Sequence, residues 1–204
     1  MIYAIPPRNP KGKDLVAYWD DFLKPEHIDL ILQMPEWNNL ADGVVGGQND
    51  PNTAANRPEI RTSQIAWMHL NESNAGLWDV ISKVVAEVNS QFFQFDLTGM
   101  YEPMQLSLYD SEKINQGHYT WHTDMSMMDR HVPRKLSMSL LLSDPSEFEG
   151  GEFEVKTDSD IPINLEQKRG RAWFFPSWAL HRVTPVTKGV RKSLVLWVGG
   201  DSYK

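Results

Sequence analysis

The chain has 204 residues, of which 41% are hydrophobic and 23% charged, a composition typical of a folded protein and not of a disordered one. Its net charge of −7 argues against a nonspecific nucleic-acid binder, because such proteins usually carry a basic surface. It has no cysteine, which excludes disulfides and thiolate metal sites.

The length suits one domain, and we predict a single domain over residues 1–204, in which residues 1–103 support a core formed by residues 104–199. The N-terminal stretch MIYAIPPRNPKGKD has no long apolar segment, and no apolar run reaches the roughly 18 residues of a membrane span. We therefore expect no signal peptide, no membrane contact and a cytoplasmic location.

The first fifty residues predict a mixed entry region, followed by a loop and a strand up to residue 70. The stretch AYWDDFL (17–23) is typical of a short strand, and Pro25 is well placed in the first turn of a helix over 26–34. Residues 41–58 are rich in Gly, Asn and Pro and predict a long, mobile loop. Residues 61–70, RTSQIAWMHL, predict a strand.

A second helix is the clearest element of this half of the chain. Apolar residues from Leu77 to Phe92 recur at i, i+4, i+7, i+8, i+11 and i+15, so they lie on one helical face. We expect Asn71 or Ser73 to cap its start.

From residue 105 onward the sequence changes to short β-segments separated by Gly, Pro, Asp and Ser turns. There are eight: QLSLY, HYTWHTD, KLSMSLLLSD, GGEFEV, PINLEQ, RAWFFP, LHRVTPV and RKSLVLWVG. Eight such strands after helices indicate a double-sheet jelly roll, that is, a double-stranded β-helix. The predicted fold class is α+β, mainly β, with the N-terminal helices packed outside the core.

A possible metal-binding pair lies in the second β-segment, YTWHTD. His122 and Asp124 are two residues apart, and residues i and i+2 of a strand point to the same face, so both can reach one point. The chain has six His and 27 acidic residues, so about one such pair is expected by chance. Taken alone, the pair fits a solvated turn at the end of a strand better than a metal site.

His181, at the start of the seventh segment, changes this interpretation. A lone histidine there is typical of a core residue bonded to a backbone carbonyl. However, the second and seventh strands of a jelly roll are neighbours, which would place His181 beside His122 and Asp124. Two histidines and one carboxylate with open positions form the ligand set of non-haem Fe(II) oxygenases, and zinc accepts the same ligands.

The eighth segment adds Arg191 and Ser193, which share one face of their strand. A guanidinium offers paired donors to the two oxygens of a carboxylate, so the pair suits an anion clamp, although VRKS also fits a basic surface turn. Tyr109 and Tyr119 could each place a phenol near that carboxylate or pack in the core. Trp121 could line a cavity or pack the sandwich.

Three stretches carry a family resemblance: YTWHTD, SLLLSDPSEFEGGEFEV and FFPSWALHRVTPVTKGVRKSLVLWV. Between about Met104 and Val198 the chain resembles the Fe(II)- and 2-oxoglutarate-dependent dioxygenases of the prolyl 4-hydroxylase type, nearest the PKHD-type hydroxylases of bacteria and phage-like genomes. If the gene is phage-borne, the location would be the host cytoplasm. Some relatives continue into a C-terminal helical extension, which we do not expect here.

The resemblance implies specific ligands and cofactors. The implied iron and catalytic residues are His122, Asp124 and His181, and the implied 2-oxoglutarate residues are Arg191, Ser193 and Tyr109. The cofactors are Fe(II), 2-oxoglutarate as cosubstrate and O2, with ascorbate as a candidate reductant. DSEKINQGH lengthens the interval between Tyr109 and His122 relative to the family pattern.

The implied reaction couples decarboxylation of 2-oxoglutarate to hydroxylation of a C–H bond. The partner implied is a proline-containing peptide or protein, and a free amino acid or other small molecule stays an alternative. We expect Tyr119, Trp121 and Arg130 to contact substrate. Loops 41–58 and 126–135 are the candidate rim, although the second also fits a solvated basic turn.

Two further interpretations remain open from the sequence alone. A cupin-like metal enzyme would use the same three ligands without 2-oxoglutarate and would give Arg191 no role. A non-catalytic jelly-roll binding module would tolerate loss of His122.

Overall fold

The computed structural model describes residues 15–21, 23–46, 54–113, 115–125, 127–128, 132–156 and 161–201. The α-helices within them are α1 (Pro25–Leu32) and α2 (Ala75–Val88), the latter followed by a π-helical turn at Asn89–Phe93; single 3-10 turns lie at Pro35–Asn39 and Pro145–Glu147. The strands are β1 (Ala17–Trp19), β2 (Ala41–Asp42), β3 (Arg61–Thr62), β4 (Gln64–Met68), β5 (Leu97–Gly99), β6 (Met104–Asp110), β7 (Gly117–His122), β8 (Met127–Met128), β9 (Val132–Leu141), β10 (Phe148–Gly150), β11 (Phe153–Lys156), β12 (Ile163–Leu165), β13 (Ala172–Pro176) and β14 (Leu180–Gly200).

The strands form two antiparallel sheets that share the long strand β14. The larger sheet has the order β1-β13-β9-β14-β6-β4-β2, with β5 also on β14. The smaller sheet has the order β12-β11-β14-β7-β3, with β10 also on β14. Side chains from both sheets, among them Phe153, Phe175 and Val183, pack in one buried cluster between them. The mainly β, double-sheet fold predicted from the sequence is confirmed.

The helices cover the outer face of the larger sheet. Along β9 the buried side chains alternate: Leu136, Met138 and Leu140 belong to the cluster that contains Ile81 and Val85 of α2. Because successive strand residues point to opposite faces, the residues between them face the smaller sheet. The outer packing against the helices is therefore apolar, and the inner face is free to carry polar groups.

The seventh and eighth predicted segments are one strand, so their separation in the sequence analysis is wrong. Gly189 lies within β14 at φ 70°, and a Cβ there would come within 2.1 Å of the carbonyl oxygen of Glu147. Glycine tolerates this left-handed conformation, so the chain changes direction without ending the strand. As a result β14 contributes His181 to the smaller sheet and Arg191 to the larger one.

The predicted strand over 61–70 is instead two short strands that lie in different sheets. Arg61 and Thr62 pair with β7 in the smaller sheet, whereas Gln64–Met68 pairs with β6 in the larger sheet. The break at Ser63 turns the chain from one sheet into the other. The predicted loop 41–58 contains β2 and a bridge between Val45 and Ala55, and its residues 47–53 lie outside the described part of the chain.

The start of α2 also differs from the prediction. The helix begins after Asn74, and neither Asn71 nor Ser73 caps it. Instead, the side-chain oxygen of Asn71 accepts the backbone N–H of Ser73 at 2.9 Å and closes a turn just before the helix. This is the local side-chain-to-backbone bond that makes asparagine common in turns.

Among the described residues, no helix combines the length and the apolar character needed to cross a membrane.

Candidate active site

A cavity of about 190 Å³ lies between the two sheets. Its lining includes residues of β7, β14, β6 and β9, and four apolar residues contribute as well: Val44, Val45, Ile65 and Trp67. The site therefore lies at the place where the shared strand β14 passes from the smaller to the larger sheet.

Strand pairing brings the two predicted histidine ligands together. His122 at the end of β7 and His181 near the start of β14 are opposite each other in the antiparallel register. Their ring centroids are 4.1 Å apart at an interplanar angle of 55°. Asp124 follows β7 and is fixed by its backbone N–H, which donates to the carbonyl of Ser177 at 2.8 Å. One ligand atom from each of the three residues lies within 4.8 Å of the others.

Backbone carbonyls determine how both imidazoles are oriented. Nδ1 of His122 lies 2.8 Å from the carbonyl of Thr120, and Nδ1 of His181 lies 2.9 Å from that of Ala179. Because a carbonyl only accepts, each Nδ1 carries the hydrogen and each Nε2 keeps a free lone pair. This is the arrangement that second-sphere carbonyls impose on metal-binding histidines.

The carboxylate of Asp124 completes a donor set that fits a divalent metal. Its Oδ1 lies 3.9 Å from Nε2 of His122, and its Oδ2 lies 3.5 Å from Nε2 of His181. Oδ2 is buried and has no hydrogen-bond partner among the described residues. The site thus offers two imidazole nitrogens and one buried carboxylate oxygen that has no partner among the described residues. Such a donor set can hold a metal and leave positions open for other ligands.

Electrostatics keep these groups in the protonation states that bind a metal. Burial, together with the nearby charge of His181, lowers the pKa of His122 to about 3, so the imidazole is neutral at physiological pH. Burial acts to raise the pKa of Asp124, but attraction to His181, His122 and Arg134 outweighs it. The net pKa of Asp124 is below its usual range, so the carboxylate is charged.

Tyr119 covers one face of the His122 ring. The two rings stack with centroids 3.4 Å apart and planes within 15°. Burial is the main cause that raises the pKa of Tyr119, so its hydroxyl stays protonated. The guanidinium carbon of Arg61 also lies over the Tyr119 ring, at 4.7 Å from the ring centroid.

The side chain of Arg191 is a buried cation that lines the same cavity. It is 3% exposed, and its Nη1 donates to Oγ of Ser193 at 3.2 Å. It is opposite Tyr109 in the β6–β14 register, with the guanidinium carbon 5.6 Å from the tyrosine ring centroid. Among the described residues no Asp or Glu lies within 4.0 Å, and the Nε hydrogen has no acceptor. Burial lowers its pKa. Such a group is stable only with an anionic partner, so it marks an anion-binding position.

The remaining predicted substrate residues lie in different places. Tyr119 lines the cavity, but Trp121 is not part of the lining. Its ring lies 5.1 Å from Nζ of Lys156 and 4.6 Å from the guanidinium of Arg182. Arg130 lies outside the described residues, and the substrate roles of all three stay predictions.

The interpretation of residues 126–135 as a loop is wrong at its C-terminal end. Arg134 and Lys135 are buried residues of β9. Arg134 pairs with Glu102 through two hydrogen bonds, lies 3.8 Å from the Trp197 ring centroid and donates to the backbone carbonyl of Asp124 at 3.5 Å. The sequence gives no distinct signal for this role, because Arg134 stands in a basic stretch typical of a surface turn.

Comparison with known proteins agrees with this site. The family model of the 2OG-Fe(II) oxygenase superfamily matches residues 104–199. A PKHD-type hydroxylase of Aliarcobacter butzleri is 37% identical over 189 residues, which are 90% of this chain and 78% of the relative.

Two solved structures show the same fold. A Pseudomonas putida prolyl-4-hydroxylase superposes with a TM-score of 0.68 at 18% identity and covers 92% of this chain and 94% of its own. A Trichoplax adhaerens prolyl hydroxylase, in complex with a hypoxia inducible factor peptide fragment, superposes with a TM-score of 0.71 at 18% identity, covering 92% of this chain and 84% of its own. With this fold and these relatives, the chain belongs to the 2OG-Fe(II) oxygenase superfamily and is a 2-oxoglutarate-dependent dioxygenase.

Proposed function

We propose that the protein hydroxylates prolyl residues of a peptide or protein, with His122, Asp124 and His181 as the Fe(II) ligands and Arg191 as the residue that binds the far carboxylate of 2-oxoglutarate. One observation carries this proposal: three metal-binding groups converge within 4.8 Å in the same cavity as a buried guanidinium that lacks an acid partner among the described residues. The first feature suits a bound cation, and the second suits a bound anion.

The donor set supports iron as the bound metal. Two neutral imidazoles and one carboxylate would leave three positions of an octahedral metal open, which suits a chelating cosubstrate and O2. When bound, iron would activate O2, which is the oxidant: one oxygen atom would go to 2-oxoglutarate, which is oxidised to succinate and CO2, and the other to the substrate C–H, which becomes C–OH. Ascorbate would serve as a reductant that keeps the metal ferrous.

The other residues of the cavity orient these groups and exclude water. Ser193 accepts from the Arg191 guanidinium and holds its plane. Phe175 lies 4.6 Å and Phe153 5.8 Å from the His181 ring, measured between centroids, so one side of the site is apolar. The Arg134 guanidinium donates a hydrogen bond to the backbone carbonyl of Asp124 and so helps to position that residue. These contacts hold the donors before any ligand arrives, which is the protein's share of cofactor chemistry.

Arg191 separates this proposal from a cupin-like enzyme that lacks 2-oxoglutarate. That alternative gives Arg191 no role. Burial of its unpaired guanidinium would then lower the stability of the protein without contributing to ligand binding. The peptide substrate is supported by the names of the structural relatives, which are prolyl hydroxylases, one of them with a bound peptide. A free amino acid or another small molecule is the alternative substrate.

The cosubstrate assignment is tested by succinate formation. With saturating Fe(II), 2-oxoglutarate and ascorbate, the purified protein should produce succinate slowly even without prime substrate. His122→Ala and Asp124→Ala should abolish this turnover, whereas His69→Ala, which changes an exposed histidine, should not. Succinate formation by wild type that does not exceed the rate of Asp124→Ala would contradict the assignment.

The prolyl substrate is tested separately with a library of proline-rich peptides and free amino acids. We expect a mass increase of one oxygen on peptide proline. Oxygen transfer to free amino acids alone would favour the small-molecule alternative.

A further inference from the structure

We propose that the cavity binds a second carboxylate, that Arg61 is the residue that binds it, and that the hydroxylated substrate is therefore an anion. The inference rests on the proposed function, because it assigns the far carboxylate of 2-oxoglutarate to Arg191.

Arg61 is a second buried cation in the cavity lining. It is 7% exposed, and its Nε donates to Oγ of Ser63 at 2.7 Å. Its Nη2 is buried and has no acceptor, and among the described residues no Asp or Glu lies within 4.0 Å of the guanidinium. The free edge of this guanidinium is thus an unsatisfied donor on the wall of the cavity.

The neighbours of Arg61 hold it in one position. A Cβ at Gly43 would come within 2.6 Å of the Arg61 Nε, so the glycine allows the backbone to approach the guanidinium closely. The N–H of Gly43 donates to the carbonyl of Ser63 at 2.7 Å, which fixes this approach. The ring of Tyr119 covers one face of the guanidinium. A preorganised cation of this kind is suited to recognise a carboxylate.

Arg61 and Arg191 are built in the same way. Each is followed two residues later by a serine, and each donates to that serine's hydroxyl. They reach the cavity from different sheets: Arg61 pairs with β7 in the smaller sheet, whereas Arg191 pairs with β6 in the larger sheet. If Arg191 binds the far carboxylate of 2-oxoglutarate, the unsatisfied donor of Arg61 is available for another anion.

The charges of the cavity support a second anion. Fe(II) and the two unpaired guanidiniums carry four positive charges, whereas Asp124 and 2-oxoglutarate carry three negative charges. Arg134 adds nothing to this balance because Glu102 pairs with it. A neutral substrate would leave one buried positive charge uncompensated, and a monoanionic substrate would neutralise it.

The apolar wall beside Arg61 indicates what bears the carboxylate. Val44, Val45, Ile65 and Trp67 line the cavity together with Arg61, and Val44 follows Gly43, whose backbone lies against the Arg61 guanidinium. The ligand is therefore an apolar group with a carboxylate close to it. The carboxylate can be a C-terminus or the side chain of an adjacent acidic residue.

The test uses short proline peptides in matched pairs, bound to protein loaded with Mn(II) and 2-oxoglutarate so that no turnover occurs. The first pair is a proline peptide with a free C-terminal carboxylate and the same peptide with a C-terminal amide. The second pair is two C-terminally amidated peptides that carry either Glu or Gln next to proline. The third pair is N-acetylproline and its amide. Dissociation constants come from calorimetry. We expect at least one acid to bind wild type roughly 10- to 100-fold more tightly than its amide, the effect of one charge-assisted hydrogen-bonded pair.

Arg61→Gln should reduce that preference to about onefold while the amides bind as before, and Arg61→Lys should keep part of it. Arg57→Gln, at an exposed arginine four residues earlier, is the matched control and should keep all of it. The first two pairs distinguish a C-terminal carboxylate from an acidic side chain. The inference is overturned if no acid binds wild type better than its amide, or if Arg61→Gln keeps the preference. Failure of the proposed function has a different signature, because 2-oxoglutarate would then not bind to the Mn(II)-loaded protein at all.

Discussion

His122 and His181 are paired across two antiparallel strands, and their ring centroids lie 4.1 Å apart. The distance between these ligands is therefore set by the hydrogen-bond register of β7 and β14. A metal held by both side chains would also tie the two strands of the smaller sheet together.

Replacement of Arg191 should separate stability from cosubstrate binding. Arg191→Met removes a buried charge that has no acid partner among the described residues, so the ligand-free protein should unfold at the same or a higher temperature than wild type. Its affinity for 2-oxoglutarate should fall by about 2–4 kcal/mol, or roughly 30- to 1000-fold. Thermal unfolding and calorimetry measure the two effects.

Ser193→Ala is the control for this change. It removes only the acceptor of the Arg191 Nη1 hydrogen bond and should weaken 2-oxoglutarate binding by about 1 kcal/mol. Undiminished 2-oxoglutarate affinity in Arg191→Met would contradict the anion-binding role.

Gly189→Ala should destabilise the protein by about 2 kcal/mol or more, because alanine is strained at φ 70° and its Cβ would overlap the carbonyl of Glu147. Since Gly189 is two residues before Arg191, 2-oxoglutarate affinity should fall as well. Gly76→Ala is the matched control: a Cβ at this position of α2 would meet no other atom within 4 Å, so this change should raise stability by about 0.5–1 kcal/mol. Urea unfolding measures both, and equal effects of the two substitutions would refute the explanation.

Asp20 should make stability depend on acid pH. The Arg171 guanidinium donates to both of its oxygens, at 2.7 and 2.9 Å, and lowers its pKa from 3.8 to about 2. A carboxylate with a lower pKa in the folded than in the unfolded state contributes stability above pH 3.8, which is lost as the pH falls toward 2. Because Asp20 is partly exposed and water screens the pair, we expect this contribution to be about 0.5–1 kcal/mol.

Asp20→Asn should therefore be less stable than wild type at pH 7 and equally stable near pH 2, as measured by urea unfolding across this range. Asp21→Asn, at a side chain that is 77% exposed, should show little of this difference. A stability difference for Asp20→Asn that is the same at both pH values would exclude the ion pair as its cause.

The three candidate metal ligands were accessible from the sequence through strand spacing and the known strand neighbours of a jelly roll. His122 and Asp124 share a strand face through their spacing, and the pairing of the second and seventh segments in a jelly roll brings His181 to them; the structure confirms that pairing. The helical face from Leu77 to Phe92 follows from periodicity in the same way, and α2 confirms it up to Val88.

What the sequence did not predict depends on contacts between distant segments. In the sequence, Arg61 resembles any polar residue at the start of a strand. The break at Ser63 places Arg61 in the smaller sheet, apart from residues 64–68, and its side chain lines the cavity. The spacing Arg-x-Ser, which pointed to Arg191, was also present at Arg61 and could have found it. Arg134 is buried because Glu102 pairs with it, and a partner 32 residues away leaves no local pattern.

In the proposed site, His122, Asp124 and His181 hold one Fe(II), to which 2-oxoglutarate binds with its far carboxylate on Arg191. The most direct measurement is an anaerobic titration of the protein with Fe(II) and 2-oxoglutarate, followed by the visible absorption band that ferrous iron gives when a 2-oxo acid chelates it. We predict that the band saturates at about one Fe(II) per chain in wild type. It should be lost in Asp124→Ala and require far more 2-oxoglutarate in Arg191→Met. A wild-type protein without the band, or an Asp124→Ala variant with the same band, would contradict the account.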